Sequence, residues 1–567
     1  TSAPYSSGQN NTALGYQALA GFTTGHSNIA IGYQAMSAAT TTHDSIAIGY
    51  QALQNGGNDN NIAIGYQAGQ NITSARYNVI IGDSAGNALT TSDTNENVFI
   101  GNSAGRNADA ATVAARYNVY VGSGAGYYMD DGDSNVYIGR EAGKGSGTGN
   151  NATKHVIIGY QAGTSISTGD GNVLLGYQAG DAITTKTGII AIGLGAAGAI
   201  STTGDYSIAI GYGAMGGAEI GDGNIAIGYQ SMQNANAAGF HRNTAVGYQT
   251  MANVGSNSAD DNTALGYQAL YSVTTGDDNV AIGSNALRLA TTAGDNISIG
   301  HDSMATRTSG SNNIAIGPDS LYTSKGSTYN IAIGPFAGYN ITTGGSGNVF
   351  IGYKAGYANK TQGSAIAIGY EAMGGNAGTQ EGYGIAIGFR AMFEGKDGSN
   401  GTIVGNSAGQ FLQGIGATYI GDQAGRFATG SYNTFVGGSA GRGPNSAPYG
   451  SGGYNTAMGY QALDAFTSGY QNVAIGYQTA TDLTTAYYGT YIGMQAGQNV
   501  TTGNTNTFIG WQSGNAVTDT SNKVAVGYRA GYADGGEMDV HIGYEAGRNV
   551  TAGDNISIGR SAGQGYH

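Results

Sequence analysis

The stretch Asn11-Thr12-Ala13-Leu14-Gly15-Tyr16-Gln17-Ala18-Leu19 decides the fold, because variants of it recur from one end of the 567 residues to the other. Anchored on the central glycine, the copies include Gly15, Gly32, Gly65, Gly176, Gly228, Gly317 and Gly476 and number 32, spaced 16 to 22 residues apart with 17 the commonest step. Self-similarity at a short fixed period marks a solenoid and overrides domain counting by length. The chain therefore reads as all-β: a parallel β-solenoid, of the β-roll or β-helix kind, with about 32 coils. At a strand spacing of about 4.8 Å such a stack would run to roughly 150 Å.

Working outward from the glycine, the residue three before it is always Val, Ile or Thr, and the one immediately before it is aliphatic or Met. β-branched residues at alternating positions suit a strand with one buried face. These aliphatic residues are the expected buried stripe, which disordered glycine-rich chains lack. Between them stands Ala in many copies and Phe99, Tyr120, Tyr137 or Ile157 in others, so that face should meet a less uniform environment. Three residues after the glycine comes Ala, Ser or Thr every time, a size limit implying close approach of a neighbouring coil. A 17-residue coil has room for two short strands and two turns, and runs such as Thr23-Thr24-Gly25 and Gly276-Asp277-Asp278-Asn279 supply turn chemistry.

Asn stands four before the glycine in 21 of the 32 copies, including Asn28, Asn61 and Asn118. Stacking predicts an amide ladder. Tyr follows the glycine in 16 copies, among them Tyr16, Tyr33, Tyr50, Tyr66, Tyr160 and Tyr177, often with Gln next. These predict aromatic and amide ladders along one edge, for packing or a chain–chain contact, or as a flat strip for sugar rings.

A net charge of −14 without a basic run argues against nucleic-acid binding. There is no stretch of about 20 apolar residues to insert in a membrane, and with no cysteine there are no disulfides. Collagen is excluded because glycine does not recur every third residue. Ser446-Ala447-Pro448-Tyr449 repeats Ser2-Ala3-Pro4-Tyr5, which makes 442–454 a candidate boundary between an array over 1–441 and its continuation over 455–567. Neither terminal phrase carries an obvious cap, so the stack is expected to continue into more protein or into other subunits.

Catalysis is not expected. The seven histidines, His26, His43, His155, His241, His301, His541 and His567, fall into no metal-site spacing. No cofactor is expected either. Acidic turns at Asp130-Asp131-Gly132-Asp133, Gly169-Asp170-Gly171, Asp260-Asp261 and Asp277-Asp278 offer the oxygen ligands Ca²⁺ takes, but the calcium-binding β-roll nonapeptide is missing, so Ca²⁺ there would be incidental stabilisation.

The phrases Asn-Thr-Ala-Leu-Gly-Tyr-Gln-Ala-Leu and Asn-Ile-Ala-Ile-Gly-Tyr-Gln-Ala-Gly resemble the Gly-Tyr-Gln-Ala repeats of bacteriophage tail-fibre proteins and of some bacterial surface proteins. The Ile-Ala-Ile-Gly core also resembles the β-roll heads of trimeric autotransporter adhesins, whose coils are shorter. The resemblance implies a homotrimeric fibre, extracellular, on a cell surface or on a virion, that attaches to a host through a glycan or protein receptor. The membrane anchor, heptad stalk and chaperone domain of those families have no counterpart in these 567 residues, so how such a fibre would attach and assemble does not follow from the resemblance. Alternatives are a filament built by end-to-end stacking, and a polysaccharide-binding or depolymerising β-helix. The longer loops at 106–118, 143–155, 231–243, 250–262 and 441–454 are where recognition would be grafted.

Overall fold

The computed structural model describes residues 7–565 apart from 57, 91–93, 108–114, 130–131, 148, 200–203, 218–219, 236–238, 255–257, 342–343, 358–362, 376–383 and 396–399. It confirms the solenoid. Every repeat contributes one three-residue strand, giving 32 in all and no helix among the described residues. Two compact units divide the chain at 292/293. The first holds β1 (Thr12–Leu14) to β16 (Val280–Ile282), the second β17 (Ile297–Ile299) to β32 (Ile556–Ile558). Within each unit every strand pairs in parallel with the next, in register on the glycine: Ile29↔Ile46 and Ile31↔Ile48 in the first, Ile297↔Ile314 and Ile299↔Ile316 in the second. Residues 442–454 lie inside the second unit, where Tyr449 stacks on Phe411 at 5.1 Å between ring centroids.

Each coil contains one strand rather than the two expected. The opposite side is built from the residues after the glycine, where left-handed and right-handed backbone alternate. In the second coil Gln34 and Met36 have φ of 55° and 52°. Gln34 N–H then donates back to Tyr16 O at 2.8 Å, while Met36 N–H donates forward to Ala52 O at 3.0 Å. A left-handed non-glycine residue costs about 1–2 kcal/mol. The cross-coil hydrogen bonds, repeated at each step, hold that conformation and leave no room for a second strand.

The central glycines are the tightest points of the coil. Gly15, Gly32, Gly65, Gly176, Gly228, Gly317 and Gly476 have φ between 127° and 142°, a region essentially closed to other residues. At Gly266, φ 135°, an added Cβ would lie 2.6 Å from Gly283 O in the next coil. Backbone stacks on backbone here, and only hydrogen fits between.

The burial of the strand is the reverse of the expected stripe. The middle residue points into the coil and is fully buried, as at Ala30, Phe99, Tyr120 and Phe350. Its two aliphatic neighbours point outward and are partly exposed in nearly every strand. The variable residue is therefore the core residue, and a second position compensates its size. Phe99, Tyr120 and Phe350 face Gly105, Gly126 and Gly356, whereas the coils with Ala30, Ala245 and Ala367 carry buried Met36, Met251 and Met373 at the equivalent position. A Cβ on Gly126 would meet the Tyr120 ring at 2.5 Å. Interiors at close-packed density require one of the pair to be small when the other is large.

Candidate functional site

The asparagine ladder is present. Asn28 N–H donates to Asn11 Oδ1 at 2.9 Å, Asn78 N–H to Asn61 Oδ1 at 3.0 Å and Asn118 N–H to Asn97 Oδ1 at 3.0 Å. The side-chain amides reach the turn of the following coil, as in Asn118 Nδ2 to Gly132 O at 2.7 Å and Asn28 Nδ2 to Thr42 O at 2.7 Å. One buried side chain thus satisfies two backbone groups that no strand pairs, as the Asn118 side chain does for Asn135 N–H and Gly132 O. Where Asn is replaced, the substitute can keep an acceptor: Ser45 Oγ receives Asn61 N–H at 3.1 Å, and His155 Nδ1 receives Asn172 N–H at 2.9 Å. His155 Nε2 lies 2.7 Å from Gly169 O, so it is the proton-bearing nitrogen of a neutral ring. Burial lowers its pKa to about 4.

Beside this buried ladder runs an exposed one. Tyr16, Tyr33, Tyr50 and Tyr66 stack at 5.0–5.1 Å between ring centroids, and Tyr160 stacks on Tyr177 at 5.2 Å. The next position forms an amide ladder: Gln34 Nε2 to Gln17 Oε1 at 2.7 Å, Gln51 Nε2 to Gln34 Oε1 at 3.0 Å, and Gln67 Nε2 to Gln51 Oε1 at 3.0 Å. The rings remain open to solvent, Tyr33 by 43% and Tyr66 by 49%. In the coils that carry Tyr, the two outward strand residues and the aromatic together line the outer surface. Leu265, Ile420 and Met458 are among the most exposed outward strand residues. Sequence reading located the Tyr and Gln ladders but placed the aliphatic pair on the wrong side of the strand.

The acidic turns direct their carboxylates at backbone N–H groups. Asp133 Oδ1 accepts from Arg116 N–H at 2.7 Å, Asp170 Oδ1 from Thr153 N–H at 3.1 Å, Asp260 Oδ1 from His241 N–H at 2.7 Å and Asp277 Oδ1 from Asp260 N–H at 2.8 Å. Asp261 pairs with Arg242 at 2.7 Å. Asp130, Asp131 and His567, with parts of four of the five longer loops, lie outside the described residues. His26 and His43 stack at 4.0 Å in exposed turns. Among the described residues no helix is long and apolar enough to cross a membrane.

One cluster went unseen in the sequence. Asp534, Asp539 and His541 converge with Lys523, all buried. The signal was present as departure from the repeat. Lys523 and Asp539 occupy the Asn-ladder position, His541 the core position, and Asp534 the position where neighbouring coils have Val517 and Val550. No protein-family model matches this chain, and no curated protein matches it significantly.

Proposed function

We propose that this chain is a structural fibre segment, a stiff solenoid shaft that associates with further copies of itself along its outer strand face and presents a recognition surface for attachment to a host cell or other surface. The observation that carries the reading is the outward stripe. Contiguous apolar patches beyond a few hundred Å² are rare on monomers and mark interaction sites. This stripe recurs at every coil as a Val, Ile or Thr paired with an aliphatic residue or Met, from Ile29 and Ile31 to Ile46 and Ile48 and onward. A partner that complements every rung must share the coil spacing, and a second copy of the chain does. A closed trimer, as the resemblance to tail-fibre and adhesin repeats implies, would bury three such stripes against one another.

Mass measurement of the purified full chain by light scattering and sedimentation tests this. A discrete trimer is expected, and Ile208→Glu with Ile225→Glu should release smaller species while the circular dichroism of the fold is retained. A wild-type monomer at micromolar concentration would refute the proposal, and unlimited growth would favour end-to-end filaments. The exposed Tyr ladder favours a second reading, in which an extended glycan lies across the stacked rings. A glycan array comparing the wild type with Tyr50→Ala examines it, and equal signals, or none, would end that reading.

A further inference from the structure

Four departures from the repeat meet at one buried point in the second unit. Lys523 precedes β30 (Val524–Val526), Asp539 and His541 flank the start of β31 (Val540–Ile542), and Asp534 lies in the turn between them. Lys523 Nζ is 2.8 Å from Asp534 Oδ2 and 4.0 Å from Asp539 Oδ2. It also donates to Asp534 O at 2.6 Å. His541 Nε2 is 3.0 Å from Asp534 Oδ2, and Gly536 N–H donates to Asp534 Oδ1 at 3.0 Å. Asp539 Oδ2 is buried and holds no hydrogen bond. A cleft lined by Thr518, Asp519, Thr520, Ala533, Asp534 and Gly535 opens beside the cluster.

The donor set Asp534, Asp539 and His541 resembles a metal site, but the Lys523 ammonium already sits among those oxygens. A buried Lys–Asp pair replaces an Asn and a Val of the repeat, a costly exchange unless the pair does something more than neutralise itself. We propose that Lys523 and Asp534 condense to an intramolecular isopeptide bond, with Asp539 as the proton relay.

The constellation supplies each part of an acyl transfer. Lys523 Nζ first gives up a proton through Asp539 to Asp534 Oδ2, converting the carboxylate to the acid, and the neutral amine then attacks Cγ, forming the C–N bond. Gly536 N–H holds Oδ1, which carries the negative charge of the tetrahedral intermediate and remains as the amide oxygen. The Cγ–Oδ2 bond then breaks with its electron pair on oxygen, polarised by the His541 Nε2 contact. Of the three ammonium protons one stays on the amide nitrogen and two leave with Oδ2 as water, carried across by Asp539. Charge balances, since an ammonium and a carboxylate become a neutral amide and one water. No oxidant or co-reactant is needed, and the cleft beside Asp534 and Gly535 takes the water. Burial lowers the Lys523 pKa toward the neutral nucleophile and raises that of Asp539, the neighbouring Asp534 carboxylate adding to the rise. The product ties the start of a coil to its own closing turn.

Intact mass and peptide mapping of the full chain test this. The expected result is a chain lighter by one water, with the peptide bearing Lys523 joined to the one bearing Asp534. Lys523→Asn and Asp539→Asn restore the ladder residue found in most other coils, so both variants keep the fold. The first should return the mass calculated from sequence. The second, with Lys523 and Asp534 intact, should leave most of the chain unlinked. An unshifted wild-type mass with Lys523 open to amine reagents after denaturation overturns the proposal, whether or not zinc is retained there. So does a loss of water that persists in Lys523→Asn, which would indicate dehydration at Asp534-Gly535 alone.

Discussion

Replacing Phe350 by alanine empties the interior of the coil at β20 (Val349–Ile351), where the ring is fully buried between Ala332 and Ala367. Loss of a buried phenylalanine costs about 3–5 kcal/mol, part transfer and part cavity. The compensating position is Gly356, φ 64°, whose added Cβ would stand 2.5 Å from Phe350 Cε1. Gly356→Met in the wild-type background therefore drives a side chain into the ring and should also cost several kcal/mol, of the order seen for overpacking. Together the two changes recreate the adjacent coil, which carries Ala367 and, at the equivalent position, buried Met373 at φ 50°. Burying the methionine returns about 1.5–3 kcal/mol, and the left-handed backbone takes back about 1–2. The double variant should thus be more stable than either single one, with a coupling energy of about 2 kcal/mol or more. Because long repeat arrays lose two-state behaviour, the assay is local: amide hydrogen exchange at Val349–Ile351 in the four proteins of the cycle. Additive effects, with coupling under about 0.5 kcal/mol, would refute the claim that the two positions share one volume.

Four further outcomes follow from the same coil geometry. Gly266→Ala should cost at least about 3 kcal/mol, the sum of a strained φ and contact with the Gly283 backbone, seen as faster exchange in both coils. Asn118→Ala strips the acceptor of Asn135 N–H and the donor to Gly132 O, an expected loss of about 3 kcal/mol with the Asn135 amide losing protection first. His155 has its pKa lowered from 6.5 to about 4, so protons bind the unfolded chain first; stability is full above pH 6.5, falls as the pH drops toward 4, and changes little below. The full loss is about 3 kcal/mol, and melting of wild type against His155→Asn across that window should isolate it. Tyr137 Oη is buried without a partner, so Tyr137→Phe should leave stability unchanged or raise it by about 1 kcal/mol, and a marked drop in melting temperature would show a hydrogen bond there.

The coil, its period, the Asn ladder and the stacked tyrosines were legible in the sequence because each is a residue type fixed at one position. Two features were not. Alternation along a strand says that residues i and i+2 share a face, but it does not say which face is inside. The core residue here is the variable one, as at Ala30, Phe99 and Leu174, and its partner lies six residues on at Met36, Gly105 and Gly180. The missing second strand has a similar cause. Nothing in the types Gln34, Ala35 and Met36 announces left-handed backbone, which the stacked neighbours impose. The buried Lys523 cluster was hidden because its members lie up to 18 residues apart and share no motif. Only comparison with the equivalent positions of neighbouring coils exposes them.

The pairing of core residue with compensating residue has a consequence for how such a chain changes over generations. Both members of a pair, for example Phe508 and Gly514 or Ala264 and Leu270, sit within a single repeat. Copying or deleting one repeat would carry both members together, but coils whose pair is small, such as Ala63 with Gly69, also draw on Leu53 and Ile80 of the coils on either side, so a transplanted coil would keep its packing only beside neighbours of matching size.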